Sequence, residues 1–211
     1  MTVFTRRGLM LVLSSPSGAG KTTIVNDLLN SERRLKTSVS VTTRPKRLSE
    51  IDGRDYYFVS PEEFNRRIEA GDFFEHAEVF GNMYGTPRQF VMDSLTDGDD
   101  VVFDIDWQGT QQISQSARDD LVTIFILPPS LEELELRLRG RNQDSEDIIR
   151  SRMQEASAEL SHWAEYNYIV VNYDLHESVK IVKSILEAER YRRKRQVGLA
   201  SFVNNMRILP H

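Results

Sequence analysis

The chain has 211 residues, a formal net charge of −5, 39% hydrophobic and 28% charged residues, and no cysteine. That length and balance suit one compact domain, or one domain with inserts, of a soluble globular protein, and the acidic total argues against general nucleic-acid binding. The lack of cysteine excludes disulfides, thiolate nucleophiles and cysteine-ligated zinc, and suits a reducing, cytoplasmic setting.

The first apolar run, "LMLVLS" from Leu9, follows two arginines but is shorter than the ~7–15 residues of a signal core. It leads directly into a glycine loop and is expected to be a buried strand. A helix from Thr22 to Leu29 follows. Residues 37–92 read as a small α+β insert. Within it "SVSVTT" and part of "DYYFVS" alternate, "SPEEFNRRIEAG" has a capping-box spacing from Ser60 to Glu63, and "FFEHAEVFGNMYGT" is aromatic and glycine-punctuated, all pointing to short antiparallel strands around one helix. Three more apolar runs, "VVFDID" from Val101, "LVTIFIL" from Leu121 and "YIVV" from Tyr168, complete a set expected to form a parallel sheet covered on both faces. "SLEELELRLRGR" begins with a capping box from Ser130 to Glu133 and carries Leu131, Leu134 and Leu138 as an apolar stripe. A last amphipathic helix, "ESVKIVKSILEAERYRRKR", turns Val179, Val182 and Leu186 inward. Its basic end, Arg190 to Arg195, reads as a solvated helix terminus favoured by the helix dipole. The histidines at 76, 162, 176 and 211 lack metal-ligand spacing, and no run approaches the ~18 apolar residues of a membrane span.

"SPSGAGKT", residues 15–22, is a G-x-x-x-x-G-K-[ST] phosphate loop with Ser15 in the first place. Gly18 and Gly20 let backbone N–H groups turn toward an anion, Lys21 adds a mobile charge, and Thr22 offers a hydroxyl to Mg²⁺. The following helix points its positive end at the same place. Asp104 and Asp106 close an apolar strand two residues apart, on one face, where a loop-bound Mg²⁺ needs a carboxylate, usually through water; the plainer role for one of them is to cap a helix beginning near Gly109. In the insert, Arg44 and Arg47 flank Pro45 as a phosphate-monoester site would, with Tyr56 and Tyr84 as hydroxyl donors. Glu75 is out of place on an aromatic strand unless it meets a base, and guanine presents two donors, N1–H and N2–H₂, along one edge. Thr86 follows the Tyr-Gly turn nearby.

In order, "SPSGAGKTT", "SVSVTTRPKR", "GRDYYFVS", "FFEHAEVFGNMYGT", "DIDWQG" and "RLRGRN" closely resemble the motifs of guanylate kinases, over about residues 8–190. The resemblance implies an enzyme of purine nucleotide metabolism that converts GMP, and by extension dGMP, with ATP and Mg²⁺ to the diphosphate and ADP. It implies a phosphate-loop core (1–36, 93–131 and 160–211), a GMP-binding insert (37–92) and a helical lid (132–159). By similarity, Ser15, Pro16, Ser17, Gly18, Ala19, Gly20, Lys21, Thr22, Thr23 and Asn172 meet ATP, and Thr22 and Asp104 the metal. Ser40, Arg44, Arg47, Tyr56 and Tyr84 hold the GMP phosphate, while Glu75 and Thr86 read guanine with help from Asp106. Lys21, Arg44, Arg137, Arg141 and Arg152 carry the transferring charge. The small-molecule substrates are the expected partners, with no membrane and no nucleic acid, and the oligomeric state stays open. Two alternatives remain at this point: a guanylate-kinase-like binding module without catalysis, against which the intact Gly18, Gly20, Lys21 and Thr22 argue, and a kinase with a different phosphate acceptor.

Overall fold

The computed structural model describes residues 5–79, 81–140 and 146–207. In chain order these form β1 (Thr5–Arg6), β2 (Met10–Ser14), α1 (Lys21–Ser31), β3 (Leu35–Thr37), β4 (Val41–Thr42), β5 (Tyr57–Phe58), α2 (Pro61–Glu69), β6 (Phe73–Val79), β7 (Asn82–Pro87), α3 (Arg88–Thr96), β8 (Asp100–Asp104), α4 (Trp107–Ala117), β9 (Leu121–Leu127), α5 (Leu131–Gly140), α6 (Glu146–Leu160), β10 (Tyr168–Val171), α7 (Leu175–Arg190), β11 (Gln196–Val197) and α8 (Leu199–Arg207).

The first apolar run is continuous because both of its faces are covered. In the parallel sheet of order β10-β9-β2-β8-β3, β2 is central. Leu9, Leu11 and Leu13 join the cluster under α1 and α7, with Ile24, Leu28, Val182 and Leu186. Met10 and Val12 face the other way, against Val91 and Leu95 of α3 and Ile113 of α4. The α/β class expected from the sequence is therefore the observed one. "SVSVTT" is not one strand, however. Of its residues, 38–43, only Val41 and Thr42 form a strand, and they enter a second sheet; the residues before it, 35–37, pair in parallel with β8 at the edge of the first sheet.

That second sheet has the order β5-β4-β7-β6. Its β4–β7 and β6–β7 pairs are antiparallel, but β4–β5 is parallel, contrary to expectation. The chain from 43 to 56 crosses between β4 and β5 in place of a hairpin. Helix α2 is capped as its sequence predicts, the Ser60 hydroxyl accepting from the Glu63 N–H at 3.2 Å. It packs Phe64 on Phe73 with ring centroids 4.7 Å apart. The edge strand β6 is held to the core by Gln112 of α4, whose amide donates to the His76 carbonyl and accepts from the His76 N–H, each at 3.0 Å. This clamp places the adjacent Glu75 over the start of α4.

Helix α5 has the expected Ser130 cap, but Leu131 is exposed and only Leu134 and Leu138 turn inward, with Ala156 of α6. The basic end is also different from the expected solvated helix. Helix α7 stops at Arg190, and Arg195 is 1% exposed. Its guanidinium donates to the Glu189 carbonyl and meets the Glu189 carboxylate, which also accepts from the Tyr168 hydroxyl. Arg190 reaches Asp100 at 2.8 Å and Glu32 at 2.8 Å. Asp100, fully buried at the start of β8, further accepts from Arg6 and from the Leu9 N–H. These cations thus tie the C-terminal segment to the base of the parallel sheet. Among the described residues, no helix is long and apolar enough to cross a membrane. Asp100→Ala removes the buried carboxylate shared by Arg6, Arg190 and the Leu9 N–H and is expected to lower stability by about 3 kcal/mol or more, measured by denaturant unfolding; a loss under about 1 kcal/mol would show that the cluster is dispensable.

Candidate active site

The loop between β2 and α1 turns at Gly18 and Gly20, with φ of 94° and 101°. Both positions also lack room for a side chain. A Cβ on Gly18 would lie 3.0 Å from Leu138 Cδ2 of α5, and one on Gly20 would lie 2.4 Å from Asn172 Nδ2. Ser15, in the place where the pattern has glycine, is buried and donates to the Pro16 carbonyl at 3.0 Å. Beyond the turn, Lys21 Nζ lies 2.6 Å from Asp104 Oδ1 and donates to the Ile105 carbonyl at 3.2 Å. The Thr22 hydroxyl donates to Asp104 Oδ2 at 3.0 Å. The strand-end carboxylate, the lysine and the hydroxyl are therefore already gathered at the positive end of α1. Thr23 follows on the exposed side of the helix.

Asp106 does not continue β8. Its side chain accepts from the Gly109 N–H at 2.9 Å and caps α4. A buried polar thread fixes this corner: the Ser14 hydroxyl donates to the Ile105 carbonyl, and Thr110 joins Ser14 to the Tyr166 hydroxyl. Tyr166 packs on Phe125 in the core, whereas Trp163 is largely exposed.

A cavity of about 490 Å³ runs from Lys21 and Asp104 to the second sheet. Ser40, Tyr56, Glu75, Tyr84, Thr86 and Asp106 line it. Glu75 is 9% exposed, and its Oε1 accepts from the Thr86 hydroxyl at 2.6 Å. Burial pushes the Glu75 carboxyl above its ordinary range; the Thr86 bond opposes the shift and the Asp106 charge adds to it. Among the described residues, no cation pairs with this carboxylate. Tyr56 and Tyr84 stand edge to face, 5.9 Å apart.

Arg44 and Arg47 do not line the cavity. The Arg44 guanidinium pairs with Glu50 at 2.6 Å and lies over the Tyr56 ring, 5.4 Å from its centroid. Glu50 also accepts from the Arg47 N–H at 2.8 Å, and the Arg47 side chain is exposed. Glu50 was not legible as a site residue, because a loop acid six residues from its partner carries no periodic signal. Arg54, also on the cavity wall, was missed too, because its neighbour Asp55 makes it look like a local surface pair. On the α5 side, Arg137 pairs with Glu133 at 2.9 Å and donates to the Asn172 carbonyl at 3.2 Å. Arg152 is half-buried on α6. Arg141 lies outside the described residues. Asn172 is 4% exposed and spends its amide on the loop: Nδ2 donates to the Ala19 carbonyl at 2.8 Å and Oδ1 accepts from the Ser178 hydroxyl at 2.9 Å. It braces the phosphate loop from behind.

Comparison with known proteins agrees with this geometry. The guanylate kinase family model matches residues 7–189. The chain is 59% identical to a guanylate kinase of Paramagnetospirillum magneticum over 96% of this chain and 94% of that one. It is 57% identical to one of Novosphingobium aromaticivorans over 95% and 91%. A crystal structure of guanylate kinase from Anaplasma phagocytophilum superposes with a TM-score of 0.78 at 40% identity, covering 99% of this chain and 100% of that one. The chain belongs to the guanylate kinase family.

Proposed function

We propose that this protein transfers the γ-phosphoryl group of ATP to GMP, and to dGMP, releasing ADP and the guanine diphosphate. The observation that carries the reading is a buried carboxylate, Glu75 beside Thr86, without a cation partner among the described residues, in a cavity whose other end is Lys21 and Asp104. An ionised carboxylate facing the N1–H and N2–H₂ donors of guanine receives two hydrogen bonds; adenine turns an acceptor, N1, toward it. A site built around such donors rejects an analogue lacking them by roughly 10⁴ to 10⁵.

Phosphoryl transfer asks the protein chiefly for positioning and charge stabilisation. The N–H groups of residues 17–22 would surround the ATP phosphates, with Lys21 leaving Asp104 to follow the transferring group. The donors present suit Mg²⁺: a hydroxyl and one carboxylate 3.0 Å apart, with no group of three or more His, Cys, Asp or Glu side chains able to hold a metal among the described residues. Mg²⁺ is commonly held by one or two protein oxygens, with the remaining ligands from phosphate and water. When bound it would neutralise charge on the phosphates. Ser40, Tyr56, Tyr84 and Arg44, released from Glu50, would hold the GMP phosphate, with Arg47 closing from outside. Arg137, Arg141 and Arg152 would close from the lid, residues 132–159, over a core of residues 1–36, 93–131 and 160–211 and an insert of residues 37–92. A phosphate monoester is already anionic near neutral pH, so no general base is required. Closure would keep water from the γ-phosphate.

The test is ADP release with ATP and Mg²⁺ when GMP, dGMP, AMP, CMP and UMP are offered separately. Turnover confined to the guanine nucleotides and abolished by a chelator is the expected result; turnover with another acceptor, or none in folded protein, would refute the assignment. Glu75 also sets a stability signature. Its folded-state pKa lies above its unfolded value, so it penalises the folded state as pH rises through the folded value. Ligand-free Glu75→Gln is therefore expected to melt at or above the wild-type temperature at about pH 7, with the advantage gone at about pH 4; a lower melting temperature at about pH 7 would contradict this.

A further inference from the structure

Helix α6 ends beside the phosphate loop and is pinned there from the side. The Trp107 and His162 rings stack with centroids 3.7 Å apart, and Gln111 donates to Glu165 at 2.9 Å. One residue before the end of α6 stands Glu159. It lies on the turn after Ala156, which packs with Leu138, the side chain that closes on Gly18 of the loop. Burial pushes the Glu159 carboxyl above its ordinary range; Lys21 and the Ser17 N–H of the loop oppose the shift, and Asp106 at the start of α4 and Glu155 on its own helix add to it. Its Oε2 atom is closed off from solvent without a hydrogen-bond partner. A buried polar atom left unsatisfied is destabilising. Packing does not ask for a charge here, since the cluster joining α5 and α6 is Leu134, Leu138, Ala156 and Met153.

We propose that Glu159 is a positioning residue for phosphoryl transfer: a tethered anion that occupies the positive field of the phosphate loop until a nucleotide polyphosphate displaces it. The inference rests on the reading of residues 15–22 as phosphate-binding. A polyphosphate brings several anionic oxygens to the same N–H groups and to Lys21. A carboxylate cannot share that field without strong like-charge repulsion. Its expulsion moves α6, and Arg152, seven residues earlier, lies on the same helical face two turns away. Exchange of one anion for another thus couples ATP arrival to displacement of the helix that carries a phosphate-binding arginine. The uncompensated Oε2 keeps the occupied state weak enough to be released.

Glu159→Gln keeps the shape and removes the charge. Calorimetric titration with Mg·ADP is expected to show about fivefold tighter binding, or more, in the variant. The KM for ATP is expected to fall by a similar factor while the KM for GMP stays unchanged, a split that a merely structural role would not give. Equal or weaker Mg·ADP affinity in folded Glu159→Gln would overturn the proposal. No Mg·ADP binding by either protein would instead remove the phosphate-loop reading on which it rests. The unaltered protein gives a second readout, because its two tryptophans, Trp107 and Trp163, both flank this helix end. Saturating pyrophosphate is expected to change their emission as the Trp107–His162 stack shifts. An unchanged emission would also overturn the proposal.

Discussion

The Glu75 carboxylate sits at the end of a long cavity with one hydroxyl donor, Thr86, and a second carboxylate, Asp106, in its field. A buried carboxylate without a cation is destabilising unless donors reach it. Much of the surrounding structure serves to keep it in place. The Gln112 amide completes the exposed edge of β6 at His76 and so fixes the neighbouring Glu75. Asp106 is turned aside to cap α4. Gly109 keeps the start of α4 close, since a Cβ there would lie 3.5 Å from Glu75 Oε2. With Thr86 as its hydroxyl donor, the Glu75 carboxylate has acceptor capacity left for N–H donors, which is the basis for guanine selection in the proposed reaction.

At the opposite end the charges are balanced in advance. Lys21 and Thr22 both close on Asp104, Arg137 on Glu133, and Arg44 on Glu50. In the proposed reaction each of these cations exchanges a carboxylate for a phosphate oxygen. Such internal pairing keeps the cations ordered and lessens the reorganisation required when substrate arrives. Asn172 supports the same arrangement from below, through its bonds to Ala19 and Ser178 and the bond from Arg137 to its carbonyl. It links the phosphate loop and α7 through its buried side chain, and α5 through its backbone carbonyl.

The parts legible in the sequence were those where one physical requirement dominates. Strands β2, β8 and β9 show as apolar runs because both of their faces are covered; β10, at the sheet edge, is an apolar run with Ile169 exposed. The phosphate loop shows because positive φ and close approach demand glycine. Glu75 shows because charge conflicts with its aromatic setting. What stayed hidden depends on contacts distant in sequence. Helix α4 has few buried side chains, Gly109, Thr110 and Ile113, so its periodicity is faint. Strand β3 is only three residues long, and the alternation that follows it at 38–43 is strand only at Val41 and Thr42. The buried roles of Arg190 and Arg195 look, in one dimension, like a solvated basic run; only the fold brings Glu32, Asp100 and Glu189 to them. Glu50 and Glu159 escaped for the same reason, as acids whose meaning comes from a cation or an N–H group elsewhere.

The central claim is that one buried carboxylate selects the acceptor base. The most direct measurement is kcat/KM for GMP and for AMP with wild-type protein and with Glu75→Gln, at saturating ATP and Mg²⁺. The account predicts that the variant loses on the order of 10²-fold or more on GMP, retains or gains activity on AMP, and so collapses the preference. An unchanged GMP-to-AMP ratio in a folded, ATP-binding Glu75→Gln would contradict it.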